Sequence, residues 1–378
     1  MALPVISRDA VNERHHHELD LADPETLEMF EKFGCNVRVE GSPPTPDRVE
    51  PHVALVRDVF TSLDIRMPDG REVRMWGFED GDKVVLRPYP LPPLIEDPRR
   101  SFPSAAIRVR EGQIVHTTGK MSHNSHTIHH HGIEPTAVND GVGHTSFEVT
   151  GSYDYQWRAA YAGTYLYHCH KNTTLHFEMG MYGLLIVDPP EGPGFARRAM
   201  EVVPYDVEAW WVPDEIDPRW HDIHHSAGLD CPFDDEDPGL NYMDPEYFLI
   251  SGVPHPWSRN SPLAGENPGV AAELAAGQTL LARVANASYA VLRITLHGLD
   301  SEVIAVDGRT LGGPGDGRYS RPFLLPSGVP FELTTAQRWD LLVRPTAPGT
   351  FPVSMEFLHW ISGDVIGVAE TEIVVQGV

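Results

Sequence analysis

The chain is poor in cysteine, in basic charge and in long apolar runs. Its three cysteines in 378 residues, Cys35, Cys169 and Cys231, make no disulfide framework. Cys35 and Cys231 are distant in sequence, could pair only in an oxidising compartment, and read as free thiols. Lys and Arg number 29 against 54 Asp and Glu, a formal net charge of −25. Such a chain repels phosphate backbones and anionic lipid, so nucleic acid and membrane surfaces are not expected partners; the field favours a cationic or neutral substrate. The apolar run "MYGLLIV" is far shorter than the roughly 20 residues a spanning helix needs. The start, "MALPVISRDAVNERHHHELD", shows no basic leader before an apolar stretch, so the expected location is the cytoplasm. His15, His16 and His17 in that arm read as a solvated tail.

What is present reads as mostly β. Short runs rich in β-branched and aromatic residues, "HVALVRDVF", "AAIRVREGQIVH", "YDYQWRAAY" and "GTYLYHCH", are separated by turn residues; 34 prolines and 33 glycines punctuate the chain. One helix is signalled by Asp23 as N-cap, Pro24 at its first position and Gly34 after "ETLEMFEKF". It belongs to an N-terminal extension, residues 1–50. A first β-domain is expected over 51–190 and a second over 199–378, joined by the Pro/Gly-rich "DPPEGPGFARR". A weak internal repeat links them: "REGQIV" with "LAAGQTL", "YAGTYLYH" with "APGTFPVS", and "HHHGI" with "TLHGL". The acidic, aromatic stretch 212–247 reads as a loop excursion from the second domain.

Half of the 20 histidines fall between residues 116 and 176. Strand alternation sorts them. In "YHCHK", His168 and His170 point one way and Cys169 the other. In "HTIHHHG", His129 and His131 share a face and His126 takes the opposite one. If the two strands are neighbours, His126 and Cys169 form one group, joined by His176 and Met181 from the loop beyond. His129, His131, His168 and His170 form a second. A thiolate, two imidazoles and a distant thioether make the trigonal donor set of an electron-transfer copper, and an open knot of imidazoles suits copper that binds a small acceptor. Three histidines of "HTIHHHG" alone would suit zinc, but zinc has no use for the thioether. His130 should face away from both groups, and Met179 reads as packing.

These motifs resemble those of the multicopper oxidases, and more closely the small two-domain members related to nitrite reductases. The family's His-X-X-His-X-His-Gly is matched by His126, His129, His131 and Gly132. Its His-Cys-His, then His, then Met is matched by His168, Cys169, His170, His176 and Met181. The resemblance implies an all-β chain of two cupredoxin-like Greek-key β-sandwich domains. It also implies a type 1 copper on His126, Cys169, His176 and Met181. The other four histidines would supply half of a type 2/type 3 cluster, completed between subunits of a homotrimer. The second domain offers His297 in "ITLHG" and His359 beyond "PVSME", while Thr295, Ser354 and Glu356 stand where the family has histidines; His221, His224, His225 or His255 are conceivable substitutes.

The implied activity is laccase-like. A small organic or metal-ion reductant gives electrons through the solvent-facing edge of His176, Cys169 conducts them, and dioxygen is reduced at the cluster. Asp140 matches an acidic family position and is the candidate proton relay, with Glu134 as the alternative. Two rivals follow from the incomplete histidine set: a nitrite-reductase-like enzyme and a copper-binding electron carrier. Nitrite reductases carry Asp where this chain has His129 and lack the histidine at His170.

Overall fold

The computed structural model describes residues 38–41, 50–81, 100–143, 147–223, 240–260, 270–313 and 320–377. The expected N-terminal helix, His15 to His17, Cys35, Cys231, His224 and His225 lie outside them. Within the described residues no helix is long and apolar enough to cross a membrane.

Among the described residues, nine strands and one α-helix build the first half: β1 (Arg38–Gly41), β2 (Val53–Arg66), β3 (Glu72–Asp80), β4 (Ser104–Arg110), β5 (Ile114–His126), β6 (His129–His131), β7 (Glu148–Arg158), β8 (Gly163–His168), α1 (Thr173–Glu178) and β9 (Tyr182–Asp188). They form two sheets, β1-β7-β5-β2-β3 and β4-β9-β8-β6. In β7 the period of two is visible directly: Tyr153, Tyr155 and Trp157 point into the core and their neighbours do not. Every residue of β8 and β9 is buried, as expected of strands covered on both faces. The core between the sheets gathers Val59, Phe78, Ile107, Val115, Tyr155, Trp157 and Leu185, and Cys169 sits in it.

The second half repeats the plan. The order β4-β9-β8-β6 has its counterpart in Ala272–Ala275, Val365–Gln376, Gly349–Leu358 and Val291–Leu296, the first pair parallel and the rest antiparallel in both halves. The parallel pair β2–β5 is likewise matched by Val207–Trp211 with Leu280–Ala285. Leu280, Val284, Leu341, Ile294, Met355, Phe357 and Ile373 fill the space between these two sheets. The faint sequence repeat thus marks one architecture used twice: the fold is all-β, two cupredoxin sandwiches in tandem.

β8 is the seam between the halves. Thr164 donates to Asp340 Oδ1 at 2.5 Å and Tyr165 to the Gly308 carbonyl at 2.7 Å. A buried ion network continues it: Arg108 binds Asp188 and Glu208, both at 2.7 Å, and Arg283 binds Glu208 at 2.6 Å and Asp340 at 3.3 Å. Two expectations are sharpened here. The end of the linker is a strand, Phe195–Arg198, paired with Glu201–Pro204. The stretch 212–247 opens and closes as strands, Pro213–Ile216 pairing with Tyr247–Ile250, and its Trp220 packs into the first half's core. Asp214 and Glu215 are 3% and 1% exposed, because Tyr182 and the backbone N–H groups of Tyr289 and Ala290 take their oxygens.

Candidate metal centre

Local chain geometry separates the histidines by a route that differs from simple alternation. β5 ends at His126 and β6 begins at His129, so Thr127 and Ile128 break the strand. Ile128 is buried and its N–H donates to the Tyr155 hydroxyl, while the Thr127 hydroxyl accepts from the His170 N–H at 2.9 Å. That kink carries His126 to the side opposite His129 and His131. β8 also stops at His168, and Cys169 stays extended beyond it through its N–H bond to the Met181 carbonyl at 3.0 Å.

The first group is His126, Cys169 and His176, whose donor atoms all lie within 4.8 Å of one another. Cys169 Sγ is 3.3 Å from His176 Nδ1 and 3.6 Å from His126 Nδ1. Metal–sulfur and metal–nitrogen bonds of about 2.3 and 2.0 Å, subtending about 100–120°, give separations in that range. The three atoms are spaced as ligands of one trigonal ion, and a thiolate with two imidazoles is a donor set that copper fits. Burial pushes the Cys169 thiol up to about 11, so a metal must displace its proton on binding. Met181 is fully buried, and its main chain ties the group together: its carbonyl takes the Cys169 N–H and its N–H donates to the His176 carbonyl at 3.0 Å. Gly180 makes this return possible. It has φ +101°, and a Cβ there would stand 2.9 Å from the Phe102 ring and the Trp76 carbonyl. Met179 closes α1, bonding Leu175 and Trp76 through its backbone.

His176 shows no solvent-facing edge. It is 0% exposed, and the Trp76 ring packs edge-on against it at 5.6 Å. Around them the turn Trp220–Asp222 lies on β3, with His221 Nδ1 donating to the Arg74 carbonyl at 2.7 Å. His221 belongs to this side of the molecule and to no group of three candidate metal ligands among the described residues.

The second group is His129, His131 and His168, again with donor atoms within 4.8 Å. His129 Nδ1 donates to the Asp140 carbonyl at 2.7 Å and His168 Nδ1 to the Cys169 carbonyl at 2.9 Å, which turns the Nε2 atoms of both towards the shared space. His131 Nδ1 stands 3.3 Å from His168 Nε2. Burial, then Arg338 and the neighbouring imidazoles, pushes His131 down to about 3, and burial holds His168 well below the usual histidine range. These imidazoles are neutral with lone pairs available, as metal ligation requires. His170 flanks the group: its ring centroid is 5.3 Å from that of His129, and the Thr173 hydroxyl lies 3.1 Å from its Nδ1. His130 faces away as expected, against Trp157 and the Thr117 hydroxyl.

An open cavity of about 580 Å³ exposes His129 and His131, and Asp140 and Glu134 also line it. Asp140 Oδ1 is 3.4 Å from His129 Nδ1. Glu134 points outward, 79% exposed, towards Arg309. Sequence reasoning missed what closes the far wall. Arg309 and Arg338 come from the second half, too distant in the chain for any local signal; Arg309 reaches the Gly132 carbonyl and the Tyr165 hydroxyl.

His297 and His359 are not brought to this site. Both are exposed, at opposite ends of the strand Gly349–Leu358: the His297 N–H donates to Pro352, while His359 follows Leu358. Seven residues of strand put about 20 Å between them, so one cluster cannot use both. His359 Nδ1 instead accepts the Ile361 and Ser362 N–H groups of a hairpin turn. The register settles the other positions. His129 pairs with His168 in the first half, and the equivalent pair in the second is Thr295 with Ser354.

The fold is that of paired cupredoxin domains, and the two donor groups are candidate metal sites within the first of them. Residues 99–192, which hold every candidate ligand of the first half, match the family model for multicopper oxidase. The copper-containing nitrite reductase of Neisseria meningitidis serogroup A is 30% identical over 152 residues, 40% of this chain and 34% of that protein. The L-ascorbate oxidase of Cucumis sativus is 33% identical over 117 residues, 29% of this chain and 20% of that one. The chain thus spans about a third or less of the length of these curated relatives. In overall fold it is similar to the blue copper oxidase from Nitrosomonas europaea, with TM-score 0.60 and 20% identity over 89% of this chain and 86% of that one.

Proposed function

We propose that the protein is a copper-dependent oxidoreductase, laccase-like in reaction, oxidising a small reductant one electron at a time and reducing dioxygen. The observation that carries this reading is the placement of Cys169 in one donor group with its neighbour His168 in the other. Copper, when bound, supplies the one-electron redox change at the first group and the acceptor-binding centre at the second. The chain supplies the rest. One peptide unit separates the Cys169 thiol from each flanking imidazole, a covalent path between the groups. The Asp140 carbonyl fixes the tautomer of His129, and its carboxylate sits where a proton can be passed into the cavity. The cavity beside His129 and His131 admits a small acceptor from solvent. His176 is fully buried with Trp76 packed against it, so reductants deliver electrons across protein rather than by direct contact with that imidazole.

The oxidase reading is favoured by imidazole, and not carboxylate, at His129 and by the presence of His170. In our reading the two domains are 51–190 and 199–378, and three chains assemble so that an exposed His297 meets a neighbour's second group. A nitrite-reductase-like activity is the second reading, favoured by Thr295, Ser354 and Glu356 at three positions where the second half lacks a histidine. Copper content separates them. More than two coppers per chain, with oxygen uptake on a phenolic reductant, supports the oxidase; two coppers with nitrite turnover supports the reductase; one copper with neither activity leaves an electron carrier.

A further inference from the structure

A buried ion pair lies between the two segments that carry the first donor group, and the electron path does not use it. Lys171, two residues past Cys169, is 2% exposed, and Glu148, at the start of β7, is 4% exposed. Lys171 Nζ donates to Ser125 Oγ at 2.6 Å, Ser125 donates to Glu148 Oε2 at 2.6 Å, and Nζ stands 3.3 Å from the same carboxylate oxygen. Ser125 directly precedes His126. The triad therefore joins the segment bearing one imidazole to the segment bearing the thiol. Burying an ammonium and a carboxylate carries a desolvation cost that their mutual attraction offsets only in part, and apolar side chains of similar size would pack as well. Charge at this place calls for a reason other than packing.

We propose that Lys171 and Glu148 are positioning residues that set the reduction potential of the copper held by His126, Cys169 and His176, Lys171 raising it and Glu148 lowering it. The inference rests on the copper reading of that group. Reduction adds one negative charge to the site. A fixed positive charge nearby stabilises the reduced form and a fixed negative charge the oxidised form, and in a water-excluded interior neither is well screened. Lys171 lies two residues from Cys169 with its carbonyl 3.8 Å from Sγ, so the ammonium end of the pair belongs to the thiol-bearing segment, and Glu148 is tied to that segment through Lys171 and Ser125. The hydrogen-bond chain fixes that orientation.

Three copper-loaded variants test this: Glu148→Gln, Lys171→Met and the double variant, each titrated against one-electron mediators while the sulfur-to-copper absorption is followed. Glu148→Gln is expected to shift the exchange equilibrium towards reduced copper about tenfold, about 59 mV upward. Lys171→Met is expected to shift it as far or further the other way. The double variant falls between Lys171→Met and the wild type. A purely structural role moves all three potentials in one direction; that pattern, or three unmoved potentials, overturns the proposal while leaving the copper reading intact. If Lys171→Met does not fold with Glu148 left unpaired, the other two decide: Glu148→Gln must rise and the double variant must not. A wild-type protein whose copper absorption persists in Cys169→Ser overturns the copper reading itself, and this inference with it.

Discussion

Glu215 gives the most quantitative prediction. Its side chain is buried at the seam; Oε1 accepts the Tyr289 and Ala290 N–H groups at 2.7 and 3.2 Å, and Oε2 has no hydrogen-bond partner. Burial, reinforced by Glu178, pushes its carboxyl from 4.5 up to about 8. The folded chain therefore keeps a proton that the unfolded chain releases above pH 4.5. Stability from this group is full below pH 4.5 and is lost as the pH rises towards 8, at about 1.4 kcal/mol per pH unit. Between pH 5 and 8 that amounts to about 4 kcal/mol. Glu215→Gln keeps the Oε1 bonds and cannot ionise, so its stability curve lacks this slope. Any cost of leaving the amide N–H groups unpaired, about 1–3 kcal/mol, is the same at every pH and shifts the curve without tilting it. The assay is guanidinium unfolding of copper-free protein followed by tryptophan fluorescence at each pH from 5 to 8. Wild-type and variant curves that run parallel would refute the reasoning.

Glu208 has the opposite sign: burial pushes its carboxyl up, but Arg283 and Arg108 overcome this and hold it at about 2. It contributes about 3 kcal/mol above pH 4.5 that disappears as the pH falls to 2, so Glu208→Gln should destabilise by that amount at pH 7 and have no effect near pH 2 in the same unfolding assay. Gly132 has φ +89°, and a Cβ there would meet Arg338 Nη2 at 2.6 Å. Gly132→Ala should cost about 1–3 kcal/mol in thermal unfolding and weaken metal retention by the second donor group while leaving the Cys169 group loaded.

The juxtaposition of His126, Cys169 and His176, and that of His129, His131 and His168, were legible in the sequence because such spacing is local, and strand periodicity needs only a few residues to assert itself. The reasons were less secure than the result. His126 is separated from His129 by a kink that Thr127 and Ile128 make, and no alternation rule reports it. His176 packs against Trp76, 100 residues earlier; packing between such distant segments leaves no trace in spacing. The burial of Asp214 and Glu215 is illegible for the same reason, since their partners Tyr182, Tyr289 and Ala290 are remote. In the second half the repeat put Thr295 and Ser354 at histidine positions, and the strand register pairs the two, as His129 and His168 pair in the first half.

Copper K-edge X-ray absorption on the loaded protein addresses the centre of the account directly. One sulfur among the bonded neighbours of a single copper per chain, absent from Cys169→Ser with the fold retained, is the predicted result. A copper coordinated by nitrogen and oxygen alone, or a spectrum that the substitution leaves unchanged, would contradict it.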